Sequence, residues 1–279
     1  MKKLLPLLML VMTAASCVKD NDSENVPDTQ INVSYGSHAQ QKMDIYLPPQ
    51  RSSSTTKVLV MIHGGGWSGG DKSDFTAGIA GVQQLLPGYA IFNINYRLAA
   101  AGNVNPFPAQ EQDVKAAIEY IYNRREQFQI SEKFVYLGAS AGGHLALLQG
   151  YKHTSPVRPK AIVDFFGPTD LTALYNNSAL AALLLPQALG GTPTSNPTLY
   201  QSSSPINYVT AQSSATMILQ GGIDDLVPPS QSTALRDRLN TAGVANQYVF
   251  YPNEGHGWGD PSATDSYLKI AAFLQIHNP

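Results

Sequence analysis

Eight short runs of apolar and β-branched residues punctuate the chain, and longer stretches with helical spacing separate most of them. Val58 to Ile62, Tyr89 to Ile94, Lys133 to Leu137, Ala161 to Phe166, Ala215 to Leu219 and Gln247 to Tyr251 read as core strands. Runs of that length with few polar interruptions fit strands covered on both faces. Ile31 to Tyr35 and Met43 to Leu47 alternate apolar with polar positions, which predicts an N-terminal hairpin pair. Helices are expected over Val114 to Arg125, Ser140 to Tyr151, Ser230 to Ala242 and Ala263 to His277, and Pro228-Pro229 suits the start of the third. This alternation predicts an α/β fold: a mostly parallel central sheet flanked by helices on both faces, with ligands beyond the strand carboxyl ends. Residues 171–214 are harder to read. Leu180 to Leu185 and Gly190 to Pro197 suggest a short helical insertion with a loop, which either overhangs a site or packs as a connection.

The amino-terminal end differs in kind. Met1-Lys2-Lys3 and the apolar Leu4 to Met12 form a basic and then hydrophobic segment, too short to span a bilayer as a mature helix. Ala14-Ala15-Ser16-Cys17 follows, small residues leading to the only cysteine of the 279 residues. The pattern resembles a bacterial lipoprotein cleavage site. It predicts residues 1–17 as a signal peptide and Cys17 as the lipidated terminus of an exported outer-membrane lipoprotein, facing the periplasm or the cell surface. Residues 18–29, with Lys19, Asp20, Asp22, Glu24 and Asp28, hold too little apolar area to fold and read as an acidic tether. A single cysteine allows no disulfide within the chain, so stability must come from the core. The net charge of −2, with no basic cluster beyond Lys2-Lys3, gives no footprint for nucleic acid. No Cys/His cluster has metal-ligand spacing.

The chemistry lies where predicted strands end. Tyr136-Leu-Gly-Ala-Ser-Ala-Gly-Gly143 runs from an apolar strand through Gly-x-Ser-x-Gly into helix-forming sequence. A serine lifted onto so sharp a turn needs neighbours without Cβ atoms, and the helix beyond it points N–H groups at developing negative charge. Ser140 is therefore the candidate nucleophile. His63-Gly64-Gly65-Gly66-Trp67 follows Val58 to Ile62, and a glycine turn there lets main-chain N–H groups approach a substrate oxygen. A third predicted strand leads to Gly221-Gly222-Ile223-Asp224-Asp225, which offers two acids for one role. A fourth leads to Gly255-His256-Gly257-Trp258. The chain order serine, acid, histidine matches the α/β-hydrolases and neither chymotrypsin nor subtilisin.

Together these segments resemble the esterase and lipase branch of the α/β-hydrolases that carries an HGGG loop. More narrowly, they resemble secreted bacterial feruloyl and acetyl-xylan esterases. Asn95-Tyr96-Arg97-Leu98, Phe107-Pro108-Ala109-Gln110 with Asp113, and Phe166-Gly167-Pro168-Thr169-Asp170-Leu171 fit the same pattern, over roughly residues 30–279 as one catalytic domain. The resemblance implies a Ser140–Asp224–His256 triad, since Gly221-x-x-Asp-x-x-Val227 aligns Asp224 rather than Asp225 with the acid. It also implies an oxyanion hole from the N–H groups of Gly65, Gly66 and Ala141. Many relatives have His-Gly before the acid turn where this chain has Gln220-Gly221. Trp67 and Trp258 adjoin the loop and the histidine, where they either line the substrate or pack in the core. His63 is expected to brace the glycine loop, and His144, Asp113 and Asp170 to serve packing or structural hydrogen bonds.

The implied reaction is serine-mediated hydrolysis of an ester, with acetyl or feruloyl groups on plant polysaccharides as the expected substrates and no metal or organic cofactor required. Two other readings stay open: a peptidase or amidase with the same triad, and a glycan-binding lipoprotein without catalysis.

Overall fold

The computed structural model describes residues 26–279. The expected signal peptide, Cys17 and most of the tether lie outside the described residues. One eight-stranded sheet organises the chain, built from β1 (Asp28–Ser34), β2 (Lys42–Leu47), β3 (Lys57–Ile62), β4 (Tyr89–Ile94), β5 (Phe134–Ala139), β6 (Ala161–Phe165), β7 (Ala215–Gly221) and β8 (Asn246–Tyr251). Their spatial order is β1-β2-β4-β3-β5-β6-β7-β8. From β4 to β8 all neighbours are parallel, whereas β2 is antiparallel to both β1 and β4. β1 begins at Asp28, so Asp28 and Thr29 belong to the sheet rather than to the expected tether. It is an edge strand of exposed and half-exposed residues, which gives it a weak hydrophobic signal.

The central strands are apolar throughout because both faces are covered. On one face Val58, Val60, Ile62, Phe92 and Tyr136 pack with α2 (Ala109–Asn123), α4 (Ala141–Lys152) and α8 (Pro229–Thr241). On the other, Leu59, Met61, Ile91, Val135 and Leu137 pack with α1 (Ile79–Leu85) and α9 (Ser262–His277). Successive residues of β3 thus point to opposite cores, as strand geometry requires.

The helices expected near 140, 230 and 263 form within a residue or so of their predicted bounds. α2 instead starts at Ala109, a turn and more ahead of Val114. Its first turns are polar in sequence, yet Gln110, Glu111 and Asp113 are all buried. Each has a partner that explains this. Gln110 donates to the Asn105 carbonyl, Glu111 accepts from Lys152, and Asp113 accepts a forked Arg97 guanidinium together with Gln41.

A 3-10 helix at Lys72–Gly78 precedes α1, and the short α3 (Arg125–Phe128) follows α2. The stretch beyond β6 folds as α5 (Leu171–Asn177), α6 (Ala179–Leu189), α7 (Pro197–Ser202) and a 3-10 turn at Pro205–Tyr208. Side-chain caps start two of these helices: Asp170 accepts from the Ala173 N–H and Ser178 from the Ala181 N–H.

Candidate active site

Ser140 sits between the end of β5 and the first turn of α4 with φ 55° and ψ −121°, a backbone region that non-glycine residues seldom occupy. Two bonds hold it there. Its N–H donates to the Phe165 carbonyl at 2.8 Å, and its carbonyl accepts from the His144 N–H at 3.0 Å. Gly138 and Gly142 are needed because the chain passes itself so closely. A Cβ at Gly138 would strike the Gly142 carbonyl, and one at Gly142 would strike the Ile62 carbonyl at the end of β3. The second clash shows that Gly142 serves the packing of α4 on a neighbouring strand as much as the turn itself.

The acid and the histidine arrive from β7 and β8. His256 Nε2 lies 2.8 Å from Ser140 Oγ, and its Nδ1 lies 2.7 Å from Asp224 Oδ2. Asp224 is buried, and its second oxygen accepts the N–H groups of Leu226 at 3.0 Å and Val227 at 2.8 Å. With its lone pairs fixed in this way, the carboxylate selects the tautomer that carries hydrogen on Nδ1 and leaves Nε2 free to accept from Ser140. Asp225 is exposed, and among the described residues only its carbonyl is engaged, by Ser178. Geometry and the implied alignment therefore agree on Asp224. Gln220 is closer to the chemistry than its place before the turn suggests. Its amide donates to Asp224 Oδ2 at 3.3 Å and to the Val227 carbonyl, while its oxygen accepts from Ser232.

The glycine loop lies against the first turn of α4. Gly65 and Gly66 take φ of 101° and 59°, which a side chain would strain. Among the described residues, the N–H groups of Gly65, Gly66 and Ala141 donate to no other protein group. Gly66 and Ala141 line one pocket with Ser140, and unspent main-chain donors of this kind are what an oxyanion requires. His63 braces this loop from below. Its ring stacks on Tyr96 with centroids 4.3 Å apart, its Nδ1 bonds the Gly64 carbonyl, and Tyr96 Oη donates to the carbonyls of His63 and Gly64. Burial lowers the pKa of His63, which keeps it neutral.

Trp67 and Trp258 part company. The Trp67 indole N–H donates to His144 Nδ1 at 3.2 Å, and His144 Nε2–H donates to the Ser203 carbonyl at 2.6 Å. Burial pushes the pKa of His144 down to about 4, so it stays neutral and can play both parts. This chain ties the glycine loop, α4 and the segment beyond β6 together. The rim of Trp67 borders an apolar pocket with Gly66, Ser140, Ala141, Leu174, Leu184 and Leu185. Helices α5 and α6 border that pocket, whereas the later part of the 171–214 segment, with Tyr200 and Val209 in the core, packs as a connection. Trp258 lies on the other side of His256, among Phe165, Phe166 and Tyr251, with its N–H on Ser266. Sequence gives Phe166 only within a family segment, Leu184 only within a helical run and Leu174 not at all, because an apolar residue beside a site reads the same as one in a core.

Set against known proteins, residues 43–239 match the BD-FAE family model. The chain belongs to the BD-FAE family. The BD-FAE match takes in the glycine loop, Ser140 and Asp224, and His256 falls beyond it. A truncated form of a carbohydrate esterase from gut microbiota is 27% identical in sequence and superposes with a TM-score of 0.77, covering 92% of this chain and 98% of that one. A bifunctional GH43-CE of Bacteroides eggerthii gives 26% and 0.76, covering 88% of this chain and 38% of the other. In sequence, the chain is 28% identical to a probable carboxylic ester hydrolase, LipM, of Mycobacterium tuberculosis, over 87% of its own length and 60% of LipM. It spans about three fifths of the length of the curated relatives it matches. The sheet, its flanking helices and these neighbours make this BD-FAE member an α/β-hydrolase by fold.

Proposed function

We propose that this chain is a serine carboxylesterase that releases small acyl groups, acetyl before feruloyl, from plant polysaccharides. The observation that carries the reading is the unbroken run Asp224–His256–Ser140 at 2.7 and 2.8 Å, with Gly66 and Ala141 lining the same pocket as Ser140. In the proposed reaction His256 Nε2 takes the proton of Ser140 as Oγ attacks the ester carbonyl, and Asp224 stabilises the imidazolium. The N–H groups of Gly65, Gly66 and Ala141 hold the oxyanion. His256 then protonates the leaving alcohol, and water releases the acyl group by the same steps in reverse.

The apolar pocket supports a small acyl group. Its cavity volume is about 20 Å³, close to what one water occupies by the same measure. A methyl group suits such a space, whereas a feruloyl ring requires Leu184 and α6 to move away. A sugar-borne ester is supported by the likeness to a carbohydrate esterase. The same proposal anchors the protein in the outer membrane through Cys17.

Hydrolysis of p-nitrophenyl acetate, p-nitrophenyl butyrate, methyl ferulate and acetylated xylan tests the reading. Acetyl esters should be the best substrates, and Ser140→Ala should lower turnover by about 10⁴–10⁶ while the protein stays folded. A folded Ser140→Ala protein that keeps a tenth of the activity would remove Ser140 from the mechanism.

A further inference from the structure

Once the oxyanion is held, an ester bound to Ser140 has two groups left to place. The acyl group has the small apolar pocket lined by α5 and α6. The leaving oxygen must lie near His256 Nε2, because that nitrogen returns the proton, so the alcohol extends past His256 on its open side. The surface there is built. The ring of Phe166 lies 4.7 Å from the His256 imidazole, Trp258 lies 5.2 Å from Phe166, Phe165 6.0 Å from Trp258, and Tyr267 6.4 Å from Phe165. This aromatic run leads away from the histidine into a cleft between the 3-10 helix at Lys72–Gly78 and the start of α9, where Phe75 forms the opposite wall. The cavity there is about 210 Å³, some ten times that of the apolar pocket.

Two polar groups sit among these rings. The Tyr267 hydroxyl makes no hydrogen bond with any described residue, and it lies beside Gly78, where even an added Cβ would only reach van der Waals contact with that oxygen, at 3.5 Å. Asp74 is exposed; its Oδ2 accepts from the Asp71 N–H, which leaves Oδ1 for a ligand. Flat apolar faces with a hydroxyl and a carboxylate at their edge match a ring whose C–H faces are apolar and whose rim carries hydroxyl groups. A simple alkyl alcohol would use the faces and leave both polar groups to water.

We propose that this cleft is the leaving-group subsite and binds the pyranose ring that carries the ester. The proposal rests on the serine-esterase reading. It assigns Phe75, Trp258 and Tyr267 to substrate choice, on the alcohol side only.

The test compares kcat/KM for a monoacetate of methyl β-xylopyranoside with that for ethyl acetate, which shares the acyl group and lacks the ring. Phe75→Ala should lower the ratio of the two by about tenfold, the change expected from losing one stacked aromatic contact, and chiefly through KM of the sugar ester. Tyr267→Phe should lower it by about threefold, in line with one neutral hydrogen bond. Methyl β-xylopyranoside should inhibit ethyl acetate hydrolysis competitively in the wild type and far less in Phe75→Ala. An unchanged ratio in both variants overturns the subsite and leaves the esterase reading standing. Equal losses on both substrates also overturn it, because the cleft would then act by shaping His256. A wild-type protein inactive on both esters overturns the subsite together with the esterase reading.

Discussion

Replacing Asp224 by asparagine exchanges one oxygen for an NH₂ group and should nearly abolish turnover, for a reason visible in its hydrogen bonds. Asp224 Oδ1 accepts two main-chain N–H groups, from Leu226 and Val227, and Oδ2 faces the Nδ1 of His256. An asparagine must choose which way to point its amide. With the oxygen toward the two N–H donors, its NH₂ faces His256, and Nδ1 is forced to accept. The hydrogen then moves to Nε2, where it confronts Ser140 Oγ at 2.8 Å and cannot take the serine proton. With the amide reversed, NH₂ meets two N–H donors in a buried turn and leaves both unsatisfied, at about 1–3 kcal/mol for each. The first arrangement therefore wins, and the histidine is held in the wrong tautomer. A loss of roughly 10⁴ in turnover follows, about 5 kcal/mol in the barrier. Asp225→Asn, on an exposed side chain without hydrogen bonds among the described residues, should stay within about twofold, as a surface change does. Initial rates on p-nitrophenyl acetate for the two purified variants, with thermal melts to confirm folding, decide the matter. Comparable losses in the two, or the larger loss at Asp225, would refute the tautomer argument.

Three further outcomes are expected. Leu184→Ala should widen the apolar pocket beside Gly66, whose Cβ position lies 3.6 Å from Leu184 Cδ1. The ratio of butyrate to acetate kcat/KM should rise by roughly tenfold or more, and an unchanged ratio would mean that α6 does not limit the acyl chain. His144 makes stability fall with acidity. Its folded pKa of about 4 lies below the ordinary 6.5, so the unfolded chain takes up a proton first and the stabilisation is lost as the pH falls from about 6.5 towards 4. Between pH 7 and pH 5 this amounts to about 2 kcal/mol, and urea unfolding at those two pH values should show that much less pH dependence in His144→Gln than in the wild type. If Cys17 is the lipidated residue, full-length protein in a Gram-negative host should sediment with membranes, since two acyl chains anchor stably. Cys17→Ala should release it or block its processing, and fractionation with immunodetection reads the result.

What could be read from the sequence depended on whether one residue type had one structural meaning. β3 and β5 were legible because an unbroken apolar run beside glycine has few readings, and the site followed because its residues close such runs. α2 was truncated in the reading because Gln110, Glu111 and Asp113 look like exposed positions. Their partners Asn105, Lys152 and Arg97 lie outside the helix, in the preceding loops or in α4, where no helical spacing points to them. The 3-10 helix and α1 went unseen behind Gly78 and Gly81, which weaken a helical pattern without ending it. Leu180 to Leu185 did announce a helix, but no periodicity says that its apolar side looks down on a serine 40 residues earlier. Gln220 was underestimated for a related reason. A substitution relative to a family pattern shows that a residue differs, whereas only the fold shows that its amide touches Asp224.

The sense of the edge strand has a consequence for any attachment ahead of it. β1 is antiparallel to β2, and β2 to β4, so β1 runs in the same direction as the parallel core. Asp28 pairs with Leu47, the last residue of β2, and therefore lies at the end of the sheet where the parallel strands begin. Ser140, Asp224 and His256 stand where those strands finish, roughly 20 Å away along six residues of strand. Any attachment made ahead of Asp28 pulls on the pole opposite the site. If the chain is held through Cys17, as we propose, Ser140 and His256 stand on the side turned away from the surface that holds it.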